Sequence, residues 1–482
     1  MPVLALLCLI AFDDTSDTLV RELKKMLDVF VTVDREAADE VDPAQAFFQG
    51  ALPGMLRTLD PHSIFFDPGQ FEQLKQMEKS EQKGFGSIVS VLPGRVIVLQ
   101  TLPGTPSAKS GLSAGDEFLA INNYEIARLD FEQLVQLLTM ARQQTVQIDV
   151  RKPGNARVFR VTLTPELVDS PSVDRAFLLQ PGIGYLRVTS FDGPTGKLVK
   201  ETIEKLGGDS LKGLVMDLRG NPGGVAQSAA EIAALFLQPE QLIFTVKGRN
   251  AKTDEVRVPK LAKPYKFPLA ILVNGKSASA SEIVAGAIQD HDRGTVFGEP
   301  SYGKGLVQQV YPLSSNTGVA LTTAFYYTPS GRNIQKPLHG GQLDATTASL
   351  QGTFKTDSGR VVQGGGGIQP DEIVLPADIT RLAMVLDASG SITNFATEYL
   401  RTHEVKEDFQ VTPGLLDELK VYLSERRIQP STADFSSSRE WIESRLRQEL
   451  LTLSLGVAKG DEVEMQRDVV VRRAVRKLLG AP

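Results

Sequence analysis

The chain has 482 residues, 41% of them hydrophobic and 23% charged, with a formal net charge of −6. That length exceeds one ordinary core and implies about three or four soluble globular domains. The absence of a basic block argues against nucleic acid as a partner, and the single cysteine, Cys8, excludes an internal disulfide framework. His62, His291, His339 and His403 lack metal-ligand spacing, so no metal and no cofactor are expected.

Residues 2–12, PVLALLCLIAF, form an apolar run too short to cross a bilayer. The run resembles the hydrophobic part of a secretory signal but lacks a preceding Lys/Arg and an A-x-A site. Residues 1–12 are therefore read as a remnant of a signal or anchor segment, which implies export or N-terminal attachment to a membrane. Residues 13–78 are expected to be a helical segment packed against a partner. Leu19, Leu23, Met26, Leu27 and Phe30 share one helical face, and Ala44, Phe47, Phe48, Leu52 and Leu56 form a second pattern that Pro53 would kink.

Residues 79–166 read as a small strand-rich unit. Residues 95–99, 146–150 and 158–161 alternate or run apolar as strands do, and 131–138 reads as an amphipathic helix. The Gly84-Phe85-Gly86 turn would aim backbone N–H groups at a terminal carboxylate, and the Ser87–Val91 edge would pair with an extended peptide. Alone, such a turn is ordinary.

Residues 167–378 alternate strand and helix. Gly213–Asp217 and Leu269–Val273 read as buried strands, each followed by a helix, Ala226–Leu237 and the segment after Ser279. That order implies an α/β core with parallel strands. The polar stretch 338–367, ending in Gly364-Gly365-Gly366-Gly367, interrupts it as a mobile loop. Residues 379–482 read as a helical region, with helices at Leu415–Arg427, Ser438–Leu455 and Asp468–Leu479. Trp441, the only tryptophan, fits core packing there. The region would dock on the N-terminal helices, cap the core or build an oligomer.

Residues 274–308 carry the chemistry: NGKSASASEIVAGAIQDHDRGTVFGEPSYGKGLVQ. Ser279 opens an apolar helix whose first N–H groups point outward and can stabilise an oxyanion. Lys304 lies between Gly303 and Gly305, and a lysine buried against apolar surface loses affinity for its proton and becomes a general base. Gln308 would hold the amine in place. Together they suggest a Ser/Lys nucleophile–base pair. Ser279-Ala280-Ser281-Glu282 is equally a capping box, which needs no catalytic role. GEPSYGK nearly matches a phosphate loop, but Gly305 stands where a hydroxyl must hold magnesium, and a strand pattern follows.

SASASEIVAGAIQD and GEPSYGKGLVQ resemble the signature of the carboxyl-terminal processing (tail-specific) proteases. The resemblance runs over about residues 40–375 in family order. LDPHS at 59–63, GLSAGDEFLAINN at 111–123, GYLRVTSF at 184–191, GLVMDLRGNPGG at 213–224 and TTAFYYTPSGRNIQ at 322–335 carry it. It implies a crotonase-like α/β Ser/Lys protease core (167–378), an inserted PDZ domain (79–166), an N-terminal helical segment and a C-terminal helical tail.

By position, Ser279 would be the nucleophile, Lys304 the base and Gln308 its orienting partner. The oxyanion hole would come from the N–H groups of Ala280 and of Gly223 or Gly224. Gly84, Phe85, Gly86 and Ser87 would bind the peptide. Lys276 intervenes where the family often has glycine before the serine run. Asp290 matches a functionally sensitive aspartate of some relatives, although a helix end paired with Arg293 explains it without that role. His291 is read as a solvent-exposed turn residue.

The implied partners are proteins or peptides with exposed C-terminal tails, an adaptor protein and further copies of the chain. The implied location is the bacterial periplasm or cell envelope. The rival readings are a catalytically silent PDZ scaffold that binds protein C-termini and, with less support, an acyl-CoA enzyme on the same fold.

Overall fold

The computed structural model describes residues 15–78, 81–92, 94–153, 157–169, 171–250, 253–348 and 350–480; the apolar run 2–12 lies outside them. A six-stranded sheet organises the centre, in the order Val173–Gln180, Ile183–Val188, Gly213–Asp217, Leu269–Val273, Thr295–Gly298 and Glu372–Ile373. The first pair is antiparallel and the remaining pairs are parallel. Gly213–Asp217 and Leu269–Val273 are buried at every position, so they read as unbroken apolar runs instead of alternating.

Alternate side chains of these strands enter two cores. Leu214, Met216, Ile271 and Val273 face the helices Thr195–Leu206, Ala226–Ala234 and Ala280–Asp290. Tyr185, Val215, Ala270, Leu272 and Phe297 face Met465, Val470, Val471 and Ala474 of the C-terminal region. The last helix, Val469–Leu478, is thus the second cover of the central sheet. The rest of that region packs around its own core, including Leu386, Leu419, Leu446 and Leu450, with Trp441 half-buried against it. Helices Arg381–Ala388, Ser391–Tyr399, Thr432–Ser437 and Val457–Arg467 join the three read from the sequence.

A second sheet holds Thr317–Tyr327 between several partners. Leu306–Leu313, Ile64–Phe66 and Leu242–Lys247 all pair with it antiparallel. The strand-rich unit forms a separate sheet, Ser87–Leu92, Arg95–Thr101, Glu117–Ile121, Val146–Arg151 and Val158–Leu163, with Ser87–Leu92 at one edge. Its helix Phe131–Ala141 starts with an Asp130–Gln133 capping box and buries Leu134.

Three local expectations need correction. The stretch 338–367 is not a loop throughout: it contains the helix Asp344–Ala348 and a hairpin of Gly352–Lys355 with Val361–Gly364. Gly365 and Gly367 adopt positive φ and donate to Asn333 and Ile334 carbonyls, so these glycines dock the hairpin on the core. Pro53 lies in the first turn of Leu52–Arg57, directly after a π-helical turn over Ala46–Ala51, so the irregularity of this segment comes just before the proline. His291 is nearly buried, bound to the Leu242 carbonyl and close to Gln241 and Asp357. Asp290 pairs with Arg332 and not with Arg293, whose guanidinium donates to the carbonyls of Phe236, Tyr265 and Phe267.

The helix Thr15–Glu36 forms as its periodicity suggests, yet Leu19, Leu23, Met26 and Leu27 stay exposed, while the Phe30 ring lies 5.2 Å from that of Phe47.

The Asp290–Arg332 pair is 2.7 Å long with side chains 1% and 0% exposed, and Arg332 also donates to Gln289 and the Gln363 carbonyl. Removing one member strands a buried charge. Arg332→Ala should lower the unfolding free energy by about 3–5 kcal/mol in chemical denaturation followed by circular dichroism. A loss smaller than about 1 kcal/mol, the scale of a surface pair, would contradict this account.

Candidate active site

Three loops converge beyond the carboxyl ends of neighbouring parallel strands, where open α/β sheets place their clefts. Arg219–Gly224 follows Gly213–Asp217, Asn274–Ser279 follows Leu269–Val273, and Glu299–Lys304 follows Thr295–Gly298. Side chains of the first two loops bind them together. Ser277 Oγ donates to the Leu218 carbonyl at 2.8 Å, and Ser281 Oγ and the Ala278 N–H both donate to the Asn221 carbonyl at 3.0 Å. Asn274 Oδ1 accepts from the Gly220 and Lys276 N–H groups, so Lys276 is accommodated in the loop before the serine run.

Ser279 sits at the head of the buried helix Ala280–Asp290 with φ 54° and ψ −113°, a conformation strained for a side-chain-bearing residue. A carboxylate holds it there. Glu282, completely buried, accepts from the Ser279 N–H at 2.8 Å and the Lys304 N–H at 2.9 Å on one oxygen. Its other oxygen accepts from Ser301 Oγ at 2.5 Å and the Gly303 N–H at 2.7 Å. Burial pushes the carboxyl up from its usual range, and the Ser301 hydroxyl and the backbone N–H groups of Lys304, Gly303 and Ser279 oppose that shift. The capping-box spacing was the signal for Glu282, yet it hid the reach of the same carboxylate to the lysine loop.

Lys304 is more than half buried, and that burial holds its amine below the usual lysine range. Its side chain and that of Ser279 are not hydrogen-bonded to each other in this structure. Gln308 does not bond to Lys304 either: its Nε2 donates to the His62 carbonyl at 2.5 Å. A register shift between Val307 and Gln308 in the pairing with Thr317–Tyr327 marks a bulge, a device that re-aims a side chain.

The 59–63 turn thereby enters the site. Asp60, buried, caps that turn through the N–H groups of His62 and Ser63 and the Ser63 hydroxyl. The His62 imidazole is held below its ordinary value by burial and by the charge of Lys304, with Asp60 opposing. Sequence reasoning gave His62 no part in the site, and only the DPHS turn could have signalled it.

Gly223 and Gly224 differ. A Cβ on Gly223 would lie 2.7 Å from the Ala278 carbonyl and 2.8 Å from Ser279 Cβ, so only glycine lets this turn meet the serine. The Gly223 N–H, one candidate oxyanion donor, is given to Asn221 Oδ1 at 2.8 Å, which leaves Gly223 a steric role. Gly224 bridges to Phe191 in parallel register. Ala280 is fully buried at the first position of its helix.

In the strand-rich unit, Gly84 ends a strand paired with Glu166–Asp169, and Phe85 packs against the domain core. The Phe85 and Gly86 carbonyls accept from Ser107 and Leu102, and Ser87–Leu92 is an edge strand. Gly86 has φ 74°, and a Cβ there would collide with Thr105 of the same unit. Its glycine therefore answers to internal packing, whatever approaches from outside.

Glu282→Gln puts an amide N–H₂ where two donors converge and releases one of the loops. Because displacement of a reacting group by about 1 Å costs roughly a hundredfold, kcat should fall by that order with the chain still folded. Turnover within a few-fold of wild type would contradict the role given to this carboxylate.

The Peptidase family S41 model matches residues 182–346, and the PDZ domain model matches residues 74–151. The carboxy-terminal-processing protease of Bartonella bacilliformis is 34% identical over 321 residues, covering 65% of this chain and 73% of that protein. The chloroplastic carboxyl-terminal-processing peptidase 2 of Arabidopsis thaliana is 31% identical over 350 residues, covering 66% and 68%. A solved photosystem II D1 C-terminal processing protease aligns with 77% of this chain and 92% of its own at 25% identity, with a TM-score of 0.42. With a peptidase core, a PDZ domain and relatives of this coverage, the chain belongs to the carboxy-terminal-processing protease family, serine-type peptidases of family S41.

Proposed function

We propose that the chain is an endopeptidase in which Ser279 is the nucleophile and Lys304 its general base. The observation that supports this is the shared oxygen of Glu282, which binds the backbone N–H groups of both residues within 2.9 Å and so ties the two loops to one point. The neutral Lys304 amine takes the Ser279 hydroxyl proton as Oγ attacks the scissile carbonyl. The developing oxyanion is met by N–H groups of Ala280 and Gly224, each worth roughly 3–4 kcal/mol of barrier. The ammonium then returns its proton to the leaving amine, and water hydrolyses the acyl-enzyme by the same proton path. Gln308, whose Nε2 is held by the His62 carbonyl and which does not bond to Lys304 in this structure, would orient the lysine only after its side chain turns.

Substrate proteins are captured by their C-terminal tails. The carboxylate lies on the turn Gly84, Phe85, Gly86 and Ser87, and the tail adds a strand to the edge Ser87–Leu92. The exposed apolar face of Thr15–Glu36 supports association with a second copy or an adaptor. The apolar run 2–12 supports a place in a bacterial envelope or periplasm. No observation favours the silent scaffold.

Ser279→Ala and Lys304→Ala should each abolish peptide cleavage, and the double variant should be no worse than either, since the pair acts as one unit. Activity should rise with pH as the amine loses its proton and then level off. Because burial depresses the lysine pKa, that rise should fall below the ordinary lysine range. Full turnover by Lys304→Ala, or a profile that falls as pH rises through neutrality, would overturn the assignment.

For recognition, the measurement is cleavage of one protein carrying either a free or an amidated C-terminus. The free carboxylate should be cleaved faster, and the difference should vanish for a short reporter peptide lacking a tail. Equal rates on both protein forms would remove tail capture and leave the Ser279 chemistry standing.

A further inference from the structure

The C-terminal helical region reaches back to the turn that carries Gly223 and Gly224. Arg219, two residues before Asn221, directs its Nε and Nη2 at both oxygens of Asp217, 2.6–3.0 Å away. Its Nη1 crosses to Asp468 Oδ2 at 2.8 Å. Asp217 is itself held by the Tyr185 hydroxyl at 2.8 Å and by the Arg219 N–H at 2.9 Å. Asp468 Oδ1 caps the last helix through the Val470 and Val471 N–H groups at 2.9 and 3.0 Å. One carboxylate therefore starts the helix that covers the central sheet and grips the arginine of the glycine turn. The opposite side of that turn is fixed by Asn274, Ser277 and Ser281, from the loop and helix that carry Ser279.

The two sets of anchors divide the work. The serine-side bonds tie the turn to the nucleophile, and the Arg219 bonds fix how the turn is tilted against the sheet. Asp217 lies on the same strand as the turn and moves with it. Asp468 is the anchor from outside, seated on a helix packed against Val215, Ala270 and Leu272.

We propose that Asp468 is a positioning residue for the oxyanion turn, so that the C-terminal helical region is part of the catalytic apparatus and not an appendage. The proposal rests on the reading of Ser279 and Gly224 given above. Its consequence is selective: an anchor of the oxyanion donors affects the transition state and leaves ground-state binding of the peptide alone.

The test uses the full chain with Asp468→Asn and Asp468→Ser, both of which keep a residue suited to capping the helix but remove the charge facing Arg219. Arg473→Gln is the control, since it loosens the same helix by removing its 2.6 Å contact with Glu372 and leaves Arg219 untouched. The readouts are kcat and KM on a short reporter peptide, the Kd of a peptide boronate that forms a tetrahedral adduct on serine, and the thermal midpoint. For Asp468→Asn, kcat and boronate affinity should each drop about tenfold, with KM within about twofold of wild type. Arg473→Gln should keep wild-type kcat and boronate affinity at a similarly lowered midpoint. Should Asp468→Asn fail to fold, Asp468→Ser decides in its place. Loss of kcat to the same extent in Arg473→Gln, no loss in either Asp468 variant, or a change confined to KM would overturn the proposal. A wild-type enzyme that binds no boronate would instead sink the acyl-transfer reading beneath it.

Discussion

A buried carboxylate with four donors around it is the constraint on which the catalytic region depends. Glu282 has no access to water, so the loss of its hydration is offset only by the hydrogen bonds that Ser279, Ser301, Gly303 and Lys304 supply. Those donors come from two different loops. Withdrawing either would leave buried carboxyl oxygens without partners, so both are locked to the first turn of one helix. The strain stored at Ser279 can be maintained because the same carboxylate grips its N–H, while Gly223 packs against its Cβ. Local conformation, burial and catalytic geometry are therefore one problem with one solution.

The sheet explains why those loops meet at all. Parallel strands point their carboxyl ends the same way, so the turns after residues 217, 273 and 298 open on one side of the molecule. Burial of the strands on both faces makes that platform rigid, and the antiparallel sheet beyond it delivers Gln308 and the 59–63 turn. Rigidity suits a site that works by preorganised donors. The PDZ edge strand lies on a separate sheet with its own core, apart from the sheets that carry the Ser279 and Lys304 loops.

Much of this was legible in the sequence where a signal is local. Unbroken apolar runs gave the buried strands, 3.6-residue periodicity gave the helices, and the serine and glycine-flanked lysine stood out by chemistry. What was hidden was partner identity. Asp290 has Arg293 three residues away, yet the arginine it binds is Arg332, because Arg293 is drawn to the carbonyls of Phe236, Tyr265 and Phe267 on other segments. The hairpin at 352–364 was masked by polar residues and glycines, since its stability comes from docking on Asn333 and Ile334 rather than from its own pattern. Glu282 was read for its nearest neighbour alone. Nothing in local spacing could link Asp468 to Arg219, for that contact exists only once the last helix has closed over the sheet.

That closure also sets a time order. The helix Val469–Leu478 supplies Val470, Val471 and Ala474 to the sheet face beneath the catalytic loops, and it is translated well after Ser279 and Lys304. At ordinary synthesis rates of about 5–20 residues per second, the stretch from Lys304 to Leu478 takes on the order of ten to thirty seconds. During that interval Ser279 and Lys304 have emerged while one face of the sheet beneath their loops is still bare. A chain assembled in this order completes the second cover of its central sheet only when its final helix arrives.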